Sequence, residues 1–208
     1  MSDERTNWAG NYRYRARHLF EPETVEEIQE IVLRSAKVKA VGSRHCFNDI
    51  ADSREAQISL QNFKRVVQID ETALTVTIES GLQYGEFCPK LCEIGFALHN
   101  LASLPHISVA GACATATHGS GIKNKNLAAA VSAIEFVSGR GEVVTLTREN
   151  DGDRFNGAVV NLGALGIVTK LTLDIEKAFE VRQDCFERLA LADLSENFEK
   201  IIAAGHRV

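Results

Sequence analysis

The sequence predicts an α+β fold. Three observations point there. Segments with strand character outnumber helical ones, several neighbouring strands are close enough to form hairpins, and the strict strand–helix alternation of a doubly wound sheet is missing. With 208 residues, 45% of them hydrophobic, the chain can bury a real core, as one large domain or two small ones.

The elements follow in order. Pro22, Thr24 and Glu27 form a helix start of the capping-box type. Val25, Ile28, Ile31 and Val32 then repeat at helical spacing, which predicts an amphipathic helix over 24–36. Lys37–Val41 reads as a short strand stopped by Gly42. Gln57–Leu60 and Arg65–Ile69 read as strands, and Leu74–Ile78 alternates with period two until Gly81 breaks the pattern. Tyr84–Ile94 reads as a helix with Pro89 near its first turn and Gly95 where a C-cap glycine belongs. Asn100–Gly121 has no long period of either kind. Val131–Val137 and Glu142–Thr147 read as strands joined by the turn Ser138-Gly139-Arg140-Gly141. A short helix is expected over 151–161, then the Leu162–Gly166 turn and an alternating strand over Ile167–Ile175. Phe179–Leu189 reads as one more strand, and Asp193 with Glu196 reads as the cap of a last helix carrying Leu194, Phe198, Ile201 and Ile202.

Composition excludes some functions. The net charge of −5 is spread without a basic stripe, which argues against a nucleic-acid partner. No apolar run reaches ~18 residues, so no segment is expected to span a membrane. The opening MSDERTNWAGN is polar and lacks the apolar stretch of a secretory signal. Five cysteines, at 46, 88, 92, 113 and 185, include no CxxC pair and fit reduced thiols in a cytoplasmic protein. Cys88 and Cys92 fall on one helix face, but no second ligand pair accompanies them. They read as small hydrophobes, and no metal site is expected.

Two stretches carry chemistry. The first is AVGSRHCFND, in which a strand stops at Gly42 and His45 follows on a tight turn. The second is the tract from Ser103 to Gly121, dense in Gly, Ala, Ser and Thr. Tiny side chains let backbone N–H groups approach a ligand, and successive N–H groups can form a concave site for a pyrophosphate. Tight packing between crossing elements explains such a tract equally well. A P-loop and a GxGxxG dinucleotide fingerprint are both missing. Gly119-Ser120-Gly121 lacks the spacing of a nucleophile elbow, so a hydrolase built on Ser120 and His118 is a weak idea. For His45 four roles stand open: a core residue satisfied by one hydrogen bond, a metal ligand, a general base, or a nucleophile toward the 8α-methyl carbon of an oxidised flavin. Trp8 and Tyr12 read as packing residues, His18 and His206 as exposed. His106 and His118 read as structural hydrogen-bonders, and Lys123 and Lys125 as part of a solvated loop.

Taken together and in this order, VGSRHCFND, NLASLPHISVAGACATATHGSG and LGALGIVTKLTL resemble the FAD-dependent oxidoreductases of the vanillyl-alcohol oxidase / p-cresol methylhydroxylase type. Within them the alditol (xylitol) oxidases are most similar, the opening TNWAGN included, with the sugar-lactone oxidases next. The resemblance covers nearly the whole chain and implies a concrete site. His45 would carry a covalent 8α-histidyl FAD. Ala40, Val41, Gly42, Ser43, Arg44, His45 and Cys46 would wrap the pyrophosphate, with Arg44 offsetting its charge. Ser103 would stand near flavin and substrate. Ser108, Gly111, Ala112, Cys113 and Ala114 would complete the cradle, and Ile167 would touch FAD through its backbone. Cys46 departs from a more usual serine and offers a weaker donor.

The implied organisation is an FAD-binding domain over 1–180, made of two α/β subdomains (about 1–55 and 56–180) with FAD between them. Residues 181–208 would begin a substrate cap. In the family, further substrate ligands come from a second half beyond this point. The implied activity is oxidation of the primary hydroxyl of an alditol such as xylitol or sorbitol to the aldose, with O2 reduced to H2O2. The alternatives are a sugar-1,4-lactone oxidase or dehydrogenase, and a flavin-binding piece without turnover.

Overall fold

A computed structural model describes residues 5–205. His206, expected to be exposed, lies outside them. The first layer is β1 (His18–Phe20), α1 (Val25–Arg34), β2 (Val38–Val41) and β3 (Ala56–Ser59). Thr24 starts α1: its Oγ1 accepts the Glu27 N–H at 3.2 Å, while the Glu27 carboxylate accepts the Glu23 N–H at 2.7 Å. The periodic residues Ile28, Ile31 and Val32 are buried as their spacing predicts. The three strands form a parallel sheet in the order β1-β3-β2. β3 therefore belongs to the first sheet, beyond the boundary expected near residue 55.

The second layer begins with β4 (Val66–Asp70), β5 (Thr75–Glu79), α2 (Tyr84–Glu93), β6 (Phe96–Ala97) and α3 (Val109–Ala114). A 3-10 turn at Leu127–Ala130 leads into β7 (Val131–Ser138), β8 (Val143–Thr147), α4 (Arg148–Val159), β9 (Gly166–Asp174) and β10 (Glu176–Lys177). Five strands pair antiparallel in the order β4-β5-β9-β7-β8. β9 alternates along its whole length and buries Ile167, Thr169, Leu171 and Leu173. The buried Thr169 hydroxyl is satisfied by Glu135 Oε1 at 2.8 Å. On the other pairing, Thr77 and Thr172 face each other with their hydroxyls 2.9 Å apart.

One core lies against the large sheet under α2, α3 and α4. A smaller one joins Ile28, Ile31, Val32, Ile58, Leu60 and Phe63 of the first layer to Val137 and Ile167 of the second. Side chains also cross between layers: Gln29 Nε2 donates to Gly141 O (2.5 Å) and Lys39 Nζ to Gly163 O (3.1 Å).

Four expectations are corrected. Asn100–Gly121 contains a helix, the six-residue α3, too short to print a period. α4 starts at Arg148 rather than 151, because Thr147 Oγ1 accepts the Asn150 N–H and supplies the cap; Gly152 (φ +48°) kinks it. Phe179–Leu189 forms no strand. Its alternation is present, but no neighbouring strand offers a ladder, and Phe186 is 91% exposed. The last helix, α5 (Leu191–Ala203), starts at the Ala190 cap, with Asp193 inside its first turn, and none of its residues is buried. Pro89 falls inside α2, just past its first turn, close to where it is expected.

Candidate functional site

β2 delivers the chain to the site. After Val41 the backbone turns at Gly42 and Ser43, and Arg44 takes a left-handed conformation (φ +64°) that non-glycine residues rarely adopt. The strained residue directly precedes His45. The small-residue tract meets this loop at Ser108, the residue that caps α3. The Ser108 N–H donates to Ser43 Oγ at 3.1 Å. Its own hydroxyl lies between two glycines: a Cβ on Gly42 would come within 2.6 Å of Ser108 Oγ, and a Cβ on Gly111 within 2.7 Å. A β-carbon at either place would force the Ser108 hydroxyl to move. The third wall is the turn after α4, tied to α3 by the Leu162 N–H on Ala114 O (3.0 Å).

These walls enclose a cleft of about 790 Å³, a size that suits an extended cofactor. Every residue from Ala40 to Cys46 lines it, together with Ser108, Gly111, Ala112 and Ala114. Three of the expected site residues do not. Ser103 sits on an exposed bend at the start of the tract. Cys113 is buried in the core, its thiol 3.8 Å from Leu127 O and pushed up to about 12 by burial against a lowering Tyr84 hydrogen bond. The Ile167 side chain is buried in the smaller core, while its neighbours Gly166 and Val168 line the cleft. His118 and Ser120 are both exposed and outside the lining, so nothing assembles them into a hydrolytic pair. Among the described residues no three His, Cys, Asp or Glu side chains are grouped to hold a metal.

The cleft contains unsatisfied polar groups. Four buried side-chain atoms of the described residues lack a hydrogen-bond partner, and three of their residues line it: Tyr14 through its hydroxyl, His45 through Nε2 and Ser80 through Oγ. Buried polar atoms without partners are costly, and on residues that line a cavity they are groups a polar ligand can satisfy. Burial pushes the Tyr14 hydroxyl up to about 12, so it is a neutral donor. Burial also lowers the His45 imidazole, and the neighbouring His106 lowers it further, so the ring is neutral at physiological pH.

His45 is held by aromatic neighbours. The Trp8 ring stacks on it, with centroids 4.9 Å apart and planes 28° from parallel. The His106 ring lies 4.7 Å away, tilted by 46°. Trp8, read from the sequence as packing, is instead 57% exposed and lines the cleft. Tyr14 and Ser80 carried no sequence signal, because neither belongs to a motif or a period.

The span 16–147 matches the family described as "FAD binding domain". The chain belongs to that family. The FAD-binding domain fits what the cleft offers: a size suited to FAD, a glycine-walled approach to backbone and unpartnered donors. Over its whole length the chain is 46% identical to an alditol oxidase of a Streptomyces species, covering 50% of that protein. It is 32% identical to an L-gulono-1,4-lactone dehydrogenase of Mycobacterium tuberculosis, over 97% of this chain and 47% of the relative. A mouse L-gulonolactone oxidase is also 32% identical, over 86% of the chain and 42% of the relative. The chain thus spans about half the length of these relatives. No helix among the described residues is long and apolar enough to cross a membrane.

Proposed function

We propose that this chain is the FAD-holding part of an oxidoreductase that oxidises the primary hydroxyl of an alditol to an aldose, with O2 as acceptor and His45 as the covalent anchor of the cofactor. One observation carries the reading. In an FAD-binding domain, a neutral imidazole with an unpartnered buried nitrogen lines the cleft, on a loop tied to the small-residue tract. The neutral form is the nucleophilic one.

When bound, FAD supplies the two-electron acceptance that side chains lack. The chain's own residues do the rest. Ala40 to Cys46 and Ser108 to Ala114 would hold the pyrophosphate through backbone N–H groups, with Ile167 adding a backbone contact. Tyr14 and Ser80 would donate hydroxyls, and Arg44 would offset negative charge. Ser103, on its exposed bend, would bind the substrate hydroxyl. Polyol or sugar and O2 are the proposed small-molecule partners. The free thiols, among them exposed Cys92 and Cys185, favour a cytoplasmic location.

The alditol reading is supported by the identity of 46% to an alditol oxidase, against 32% to the lactone enzymes. Oxidation of a sugar-1,4-lactone is the second reading, and the lactone relatives favour it. The anchor is tested on this chain. Yellow colour remaining in an acid-precipitated pellet, with a mass gain equal to one FAD, is expected for wild type and lost in His45→Ala. A colourless pellet from flavin-loaded wild type would remove the covalent claim. Peroxide release by the complete gene product, greater with xylitol or sorbitol than with lactones, is expected; the opposite order selects the second reading.

A further inference from the structure

Residues 5–15 form an arm that lies outside the matched span, yet it is fastened to the His45 loop at successive points. Arg5 Nη2 donates to Ala16 O, and Thr6 bridges Arg13, closing the arm on itself. The Trp8 N–H donates to Arg44 O at 2.8 Å. Asn7, only 3% exposed, donates through Nδ2 to Cys46 O at 2.9 Å, and its Oδ1 accepts the Tyr12 N–H at 3.0 Å. Asn11 Nδ2 donates to Phe47 O at 3.1 Å. The carbonyls on both sides of His45 are therefore taken by the arm, as is the next one along. Behind them, the buried Asp52 carboxylate accepts from Tyr12 Oη (2.8 Å) and Arg15 Nε (2.9 Å), tying the arm's base to the far side of the same loop. A surface indole normally gains little from being held. This one is fixed by its own backbone hydrogen bond and laid on the imidazole.

We infer that the arm is a positioning device for His45, with Trp8 as its working residue: the indole fixes the imidazole plane, while Asn7 and the Trp8 N–H hold the strained backbone that presents it. This deepens the proposed function and rests on the covalent reading. In the attachment reaction an imidazole nitrogen bonds to the flavin 8α-carbon. The N–H proton, one 8α proton and two electrons leave, and O2 takes them up as H2O2. The nucleophile must meet that carbon along one direction, and without the stacked indole only the tilted His106 ring limits rotation about χ2. Trp8 touches His45 rather than the reacting atom, so it is a positioning residue.

The test is the rate of attachment in apo-protein given saturating FAD, read as acid-stable flavin against time. Trp8→Leu keeps apolar volume and removes the π face. At saturating FAD, with occupancy confirmed for each variant by quenching of flavin fluorescence, it is expected to attach at least about tenfold more slowly, within the range that small misplacements of reacting groups cost. Trp8→Phe restores a ring and is expected to recover most of the rate. A merely structural role would lower the melting temperature without this split between binding and attachment. Attachment by Trp8→Leu at the wild-type rate overturns the inference, as does loss in Trp8→Leu that Trp8→Phe does not recover. Wild type that binds FAD but never attaches it overturns the covalent reading itself, and the inference with it.

Discussion

Gly42→Ala tests the interlock between the two loops. The new methyl carbon would lie 2.6 Å from Ser108 Oγ, closer than a side-chain carbon approaches an oxygen. The Ser108 hydroxyl must rotate away, and because Gly111 carries no Cβ the space beside that glycine can take up part of the movement. The rest of the relief comes from moving the His45 loop or α3, which stretches the Ser108 N–H···Ser43 contact of 3.1 Å. Overpacking of this kind costs about 1–3 kcal/mol. At tenfold per 1.4 kcal/mol, that weakens FAD binding by about 5- to 150-fold. The assay is flavin-fluorescence quenching in a His45→Ala background, so that attachment does not mask the equilibrium, with a thermal melt to confirm folding. Ser108→Ala removes the obstructing oxygen, so Gly42→Ala/Ser108→Ala is expected to recover most of the loss. Wild-type affinity in Gly42→Ala, or a double variant no better than the single, would refute the interlock.

Three further outcomes are expected. Burial pushes the Asp52 carboxyl up, but hydrogen bonds from Arg15, Tyr12 and the Ser53 N–H outweigh it and hold it below its ordinary value. Its stabilising contribution is therefore full above about pH 4 and lost as pH falls through the folded-state value. Asp52→Asn should lower stability at neutral pH by about 1–3 kcal/mol and flatten the melting temperature against pH on the acid side. Gly166 and Gly157 should respond with opposite signs. A Cβ on Gly166, at φ +149°, would lie 2.2 Å from Val137 O and should prevent soluble expression. Gly157 sits in α4 facing open space, and Gly157→Ala should stabilise by about 1 kcal/mol in urea titration. Thiol labelling under native conditions should modify exposed Cys92 and Cys185 first, and reach buried Cys113 only on unfolding, as peptide mass mapping would show.

What could be read from the sequence follows from how local each signal is. α1 and β9 announce themselves because their buried residues, Ile28-Ile31-Val32 and Ile167-Thr169-Leu171-Leu173, repeat at the period of the element they build. The cleft was legible in two pieces, through Gly42 and His45 and through the Ser108–Ala114 tract, since small residues at a turn are a local feature. Their union was not, because it depends on one serine seated between glycines 66 and 3 residues away on either side. The arm was illegible for the same reason: Asn7 and Asn11 act on carbonyls 39 and 36 positions further along. Tyr14 and Ser80 matter through an empty hydrogen-bonding valence, which only the packing reveals. Phe179–Leu189 shows the converse, an alternation that predicts a strand wherever a partner exists.

Val137 and Ile167 come from the large antiparallel sheet but complete the hydrophobic cluster beneath α1. The small parallel sheet consequently has no apolar interior that it owns outright. Neither wall of the cleft can soften without exposing part of the other, and denaturation should erase both in a single cooperative step.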